Sequence, residues 1–303
     1  MSASDPVQGV LLGLIEGTKL EVTNCFPIPK TTEEDDFDEM YYQIEVIRKL
    51  RHVNVDHLSV GWYQSNCYGS FINKGVLESQ FNYQNSIEES IVLIYDPIKS
   101  SKGKLSLKAL RLTPVMMQFF NEGKYTPEDL KKTGTSFDNM FEEVDIVIKT
   151  SNLTSALCCE LGEIMPSGNQ YGFLDLGMGN LLEKKLKLLM DCVDELSQDS
   201  SRFFSYQRQC QKQQQQKQQA LQKRFAENKA RSERGEAPLP DDDIHKQFKP
   251  IAVPPRLDSL LVSSQIASFA EQIDEFANQS FGKLFMGESL LPKEESGSSG
   301  AKD

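Results

Sequence analysis

A chain of 303 residues with 39% apolar and 25% charged residues has room for one or two globular domains with a sizeable core. Its formal net charge of −11 excludes the molecule as a whole from binding phosphate backbones, an activity that draws its affinity from an excess of Lys and Arg. The start, MSASDPVQGVLLGL, has neither a basic n-region nor a cleavage-like site, and no apolar run reaches the ~18 residues of a membrane span, so neither a signal peptide nor a span is expected. Six scattered cysteines, Cys25, Cys67, Cys158, Cys159, Cys192 and Cys210, lack Cys-x-x-Cys spacing and point to a reducing, cytosolic compartment.

The first part of the chain alternates short apolar runs with turns. VLLGLI (10–15), KLEVTNCF (19–26), HLSVGWY (57–63), SIVLIYDP (90–97) and KLSLKALRL (104–112) read as strands, rich in Val, Ile, Leu and aromatics and bounded by Gly, Pro, Asn or Ser. KSSKGK, between the last two, suits a hairpin. Between the second and third strands, Met40, Ile44, Ile47 and Leu50 recur at three- and four-residue intervals and predict a helix with that face turned inward. The acids of EEDDFDE (33–39) sit at its start, where they favour the positive end of the helix dipole. A second helix is expected over 77–88.

Past Thr113 the pattern turns helical, with VDIVIKT (144–150) as one more candidate strand. From Leu181 the residues Leu182, Leu186, Leu189, Val193, Leu196 and Phe203 keep a near 4, 3, 4, 3 spacing, the narrow seam of a helical bundle. The seam runs out in the polar, Gln-rich stretch up to Glu236, which can stay helical while burying nothing. Prolines at 238, 240, 250, 254 and 255 then make a linker. Val262, Ile266, Phe269, Ile273, Phe276, Leu284 and Phe285 supply a last amphipathic helix, expected to pack as a hairpin on the Leu182 seam.

Arg202 to Arg234 carries nine cations against Glu227 and Glu233 and is basic inside an acidic protein. Such a helix can touch RNA phosphates without reading sequence, and it fits equally a solvated helix kept soluble by its charge.

The stretch GWYQSN (61–66) places Gln64 and Asn66 one residue apart at the end of a strand. Two imidazoles there would be a metal site; two amides are not. In the MPN family of zinc isopeptidases the JAMM signature is a glutamate near an early strand, then His-x-His, seven residues, Ser, two residues and Asp. QGVLLGL, EVTNCFPIP, VGWYQSN and IVLIYDPIKSSKGKLSLKALRL resemble that family's strands. Matched to the signature, the histidines fall on Gln64 and Asn66, the serine on Lys74, the aspartate on Leu77 or, with a gap, Val76, and the glutamate on Pro6. An amide oxygen is a poor zinc ligand, Cys67 and Glu78 make a poor substitute set, and His52, His57 and His245 have no companions. No catalytic, cofactor-binding or metal-ligating residue is therefore expected. The resemblance also implies a preceding strand and helix where only MSASDP stands, so Val10, Leu12 or Leu14 are expected to be partly exposed.

FEEVDIVIK, LLMDCVDELSQD, KQQQQKQQ, GEAPLP and SFGKLFM, in this order behind a degenerate MPN domain, resemble the family of h-type subunits of eukaryotic translation initiation factor three, over about 6–290. The resemblance implies an α/β fold, an MPN domain with a central β-sheet flanked by helices, followed by long helices that join a bundle. The expected domains are an MPN-like domain (1–150), a connecting segment and long helix with a Gln-rich basic half (151–235), a Pro-rich linker (236–256), a C-terminal amphipathic helix (257–291) and a disordered tail (292–303). It also implies a non-catalytic scaffold that supports 43S assembly and mRNA recruitment. Its partners would be the other polypeptides of the factor, including another MPN subunit, and the 40S ribosomal subunit. The competing readings are a zinc-dependent JAMM deubiquitinase and an inactive MPN scaffold of the proteasome lid or the COP9 signalosome.

Overall fold

Alternating apolar residues build the sheet. In a computed structural model, which describes residues 6–29, 38–101, 105–163, 174, 176, 179–235 and 248–290, strands β1 (Gln8–Glu16), β2 (Lys19–Pro27), β3 (Ser59–Ser65), β4 (Ile91–Tyr95), β5 (Leu107–Leu112) and β6 (Phe141–Val144) form one sheet in the order β2-β1-β3-β4-β5-β6. Only β3 and β4 run parallel. The helices are α1 (Glu39–His52), α2 (Lys74–Ser86), α3 (Pro97–Ser101), α4 (Pro114–Glu122), α5 (Pro127–Thr133), α6 (Asn152–Glu163), α7 (Gly179–Glu233) and α8 (Leu257–Leu290). The chain divides into two compact units. Unit 1 comprises residues 1–112, 141–190 and 265–303, and unit 2 comprises 113–140 and 191–264.

In unit 1, Val10 pairs with Trp62 and therefore shares its sheet face. On that face α1 lays Tyr42, Val46, Ile47 and Leu50 over Val10, Leu12 and Phe26. Next to it Phe71 and α2's Val76 close over Trp62, Val92, Ile94 and Leu110. Leu11, Val60, Ile91 and Ala109 make a second cluster, with Tyr63, Leu93 and Val144 half-buried around it. α2 is also fastened by amides. Gln80, fully buried, accepts from the Trp62 indole N–H at 2.9 Å and donates to the Ser90 carbonyl at 2.9 Å, while Gln84 pairs with both backbone groups of Leu112. Replacing Gln80 by leucine strands an indole N–H and a carbonyl in the core. The expected loss is about 3 kcal/mol in a urea unfolding curve read by Trp62 fluorescence.

Unit 2 is built around Arg256. Its guanidinium pairs with Asp199 at 3.0 Å and lies 4.6 Å over the Phe203 ring, and its backbone N–H donates to Tyr125, whose ring stacks edge-on against Phe119. Met116, Phe119 and Met140 are fully buried, and Leu257, Leu260 and Leu261 join the buried set.

Several expectations need correction. Val10 and Leu12 are buried, because α1 covers them; only Leu14, beyond the reach of α1, is exposed. Met40 and Ile44 face solvent and Tyr42 and Val46 take the inner side, so the inward face of α1 is rotated from the one read off the spacing. α2 begins at Lys74, one turn before the expected start, because the Asn73 side chain caps the Val76 N–H at 2.8 Å. The β4–β5 pairing holds, but the connection opens with helix α3, capped by Asp96, instead of a tight turn. VDIVIKT is not a strand past Val144: β6 ends there, Val147 is 81% exposed, and Lys149 comes within 4.0 Å of Glu21 on β2. The region 33–37, His245, the start of the Pro-rich linker and the tail lie outside the described residues.

A closed and degenerate cleft

The end of β3 is held from both sides, and its chemistry is that of amides. Gln64 is buried between strands and accepts from the Gln8 amide at 3.1 Å. Asn66, just past the strand, donates its backbone N–H to the Tyr95 carbonyl at 2.8 Å and lines a cleft of about 180 Å³. Asp96, Lys99, Lys108, Glu271 and Glu275 share that cleft, and Lys99 and Glu275 bridge it at 3.1 Å. Asp96 is buried there, with one oxygen committed to the Ile98 and Lys99 N–H groups.

The other signature positions scatter by environment. Pro6 is exposed ahead of β1, and Lys74 is exposed on the first turn of α2, 3.6 Å from Glu78. Leu77 is 0% exposed and Val76 2%, so either residue at the aspartate position is now part of the apolar core. Gln64 and Asn66 lie two residues apart at the end of β3, and the remaining signature positions carry no imidazole, carboxylate or hydroxyl. Burial and the nearby Asp96 carboxylate push the Cys67 thiol up, which disfavours the thiolate a metal needs. His52 ends α1 in solvent and His57 is half-buried ahead of β3. Among the described residues no three His, Cys, Asp or Glu side chains gather within reach of one ion. These residues do not fit zinc.

The sequence did not anticipate what covers the cleft. The side-chain amide of Gln265, on α8, accepts from the Ile72 N–H at 2.9 Å and donates to the Gly69 carbonyl at 2.9 Å, bracketing the loop 66–72 as a peptide group would. Gln272 lies against Gly69, and the Lys185 ammonium, buried on α7, donates to Gln272 at 2.8 Å. Lys184 donates to the Tyr68 hydroxyl at 2.8 Å and sits 5.0 Å above its ring. In unit 1 the two late helices meet through the Lys185–Gln272 hydrogen bond, whereas Leu186 of the expected Leu182 seam is exposed. Gln265 was legible in one respect: it stands in phase with Leu261, Phe269 and Gln272 on a helix whose neighbours at that phase are buried, and an amide there signals a backbone partner.

Residues 1–89 match the family described as JAB1/Mov34/MPN/PAD-1 ubiquitin protease, and residues 100–296 match the family described as the C-terminal region of eIF3h. The H subunit of eukaryotic translation initiation factor 3 from Nematostella vectensis is 51% identical over 296 residues, covering 97% of this chain and 89% of the relative. The proteins of the same name from Salmo salar and Xenopus laevis are each 54% identical over 288 residues, covering 95% of this chain and 84% and 86% of their own lengths.

Proposed function

The chain belongs to the family of H subunits of eukaryotic translation initiation factor 3, and we propose that within that factor it is a structural, non-catalytic component, supporting assembly of the 43S complex and recruitment of mRNA to the 40S ribosomal subunit in the cytoplasm. The observation that carries this reading is where unit 1 leaves its apolar surface. Its cleft is lined on one side by its own α8, through Glu271, Gln272 and Glu275, whereas Leu186 and Met190 of α7 and Phe281, Leu284 and Phe285 of α8 stand exposed at helical spacing. Large apolar side chains in solvent at helical spacing fit helices supplied by other chains. The outer side of α1, with Met40, Tyr41 and Ile44 exposed, offers a separate surface for another MPN subunit. None of the described helices is long and apolar enough to cross a membrane.

Arg208, Lys212 and Lys223 are exposed on the basic half of α7 and support a weak, sequence-independent contact with ribosomal RNA. A zinc-dependent deubiquitinase is disfavoured by the donor set, and the family disfavours the proteasome lid and the COP9 signalosome.

The test is affinity purification of the tagged full chain. The wild-type chain is expected to bring down the other initiation factor 3 subunits, and the double variant Phe281→Asp, Phe285→Asp to lose them at least tenfold while keeping its circular dichroism spectrum. Stoichiometric zinc with cleavage of a ubiquitin chain by the purified wild-type protein would replace this reading with the enzymatic one.

A further inference from the structure

The covering of the cleft has a consequence for how unit 1 moves. We infer that α8 is a built-in strap: its middle section and the loop 66–72 open and close as one cooperative element over the degenerate cleft. Three observations make them a single element. First, Gln265 is 4% exposed and spends both ends of its amide on the loop's backbone, so the loop cannot leave without stranding a buried amide, and α8 cannot leave without stranding the Ile72 N–H.

Second, the loop is held in a conformation that it does not adopt for local reasons. Tyr68 and Gly69 have φ of 66° and 84°, a region unfavourable for tyrosine, and Gly69 leaves no room for a side chain: a Cβ there would stand 2.2 Å from Gln272 Nε2. A left-handed tyrosine persists when its surroundings over-determine it, and here the Lys184 ammonium takes both its hydroxyl and its ring face. Third, the contacts continue along α8 in register. Gln265, Gln272 and Glu275 meet the loop, Lys185 and Lys99 in turn, and one helix ladder joins them to the exposed outer end.

The consequence rests on the scaffold reading. A partner that holds Phe281 and Phe285 favours the helical state of α8 and, through it, the closed loop; by linkage, a loosened loop weakens the partner's grip.

Hydrogen exchange followed by mass spectrometry on the full chain tests the strap. In the free wild-type protein, peptides covering 66–72 and 265–276 are expected to exchange at one common rate, slower than the exposed outer end of α8 (277–290). Gln265→Leu keeps the bulk and removes both bonds. It should speed both peptides by roughly 10- to 100-fold and leave β3 and the Gln80 region of α2 unchanged. Gly69→Ala, which strains the left-handed backbone at the residue whose carbonyl Gln265 holds and forces Gln272 away, should do the same. Independent rates for the two peptides, or a loop indifferent to both variants, would overturn the strap whatever the protein's partners. In the assembled factor, protection of 66–72 should rise above that of the free chain and the rise should be lost in Gln265→Leu; no rise overturns the transmission to the loop. If instead the wild-type chain never joins the factor, it is the scaffold reading that falls, and the free-chain comparison still decides the strap.

Discussion

Leu77→Asp, which writes the family's carboxylate back into the signature position, is expected to leave unit 1 unfolded. The side chain it replaces is 0% exposed and lies one residue from Val76, which packs on Trp62, Val92 and Leu110. Removing that much apolar volume costs roughly 2–5 kcal/mol by itself. A carboxylate left in the hole has neither a metal nor a cation to pair with. Gln64 and Asn66 are neutral, and the nearest cation by sequence, Lys74, lies on the exposed side of α2. Adding the burial of an unpaired polar or charged group brings the total to about 5 kcal/mol or more, against the 5–15 kcal/mol that holds a typical domain together. Circular dichroism and a thermal melt of the purified variant measure it. Leu77→Met should cost less than about 1.5 kcal/mol, and Lys74→Ser, the companion reversion at an exposed site, less than about 0.5 kcal/mol. If Leu77→Asp melted within a few degrees of wild type, the claim that the site has been absorbed into the core would fail.

The contrast between Leu77 and Lys74 says why the loss of the site was legible from sequence while its replacement was not. Residue identity alone shows that imidazole, carboxylate and hydroxyl are gone. It does not show whether the space was left empty, filled with water or turned into core, because that depends on the start of α2, and the Asn73 cap moves that start by a turn. β1, β2, β4 and β5 were readable because β-branched and aliphatic runs bounded by turn residues have few alternatives. The inward face of α1 was misread for a physical reason: Met40, Ile44, Ile47 and Leu50 have helical spacing, but tyrosines also bury, and Tyr42 closes on Phe26 with ring centroids 6.4 Å apart. VDIVIKT looked like a strand because it is apolar and β-branched, yet pairing stops at Val144 and its side chains are left in solvent. Composition cannot tell an apolar segment awaiting a partner from one that lies in a sheet. The strap was the least legible part, since it joins residues nearly two hundred positions apart through an amide and two backbone groups that carry no compositional signal.

Gly61→Ala is expected to cost about 3 kcal/mol, because the added methyl group meets backbone between β3 and β4. Gly61 opens the Gly-Trp-Tyr approach to the degenerate cleft and sits where three strands meet, paired with Leu11 of β1 on one side and Ile91 of β4 on the other. A Cβ built on it would stand 2.2 Å from the Ile91 carbonyl oxygen and 3.1 Å from the Ile91 N and C atoms, all of them backbone. No rotamer change relieves a clash with backbone. β4 would have to move away from β3 at the only parallel pairing in the sheet, and Trp62, the next residue, would lose its fit against Val92 and Tyr83. The backbone angle compounds this, because φ of 159° lies at the edge of the range that L residues avoid. The same change at Gly282 on α8 has no heavy atom within 4 Å to meet and removes a flexible residue from a helix, so there it should stabilise by roughly 0.5–1 kcal/mol. Measured side by side in urea, the two variants should move the midpoint in opposite directions. Equal shifts would mean that the close approach of β3 and β4 at Gly61 is not what fixes the register carrying Gln64 and Asn66 to the cleft.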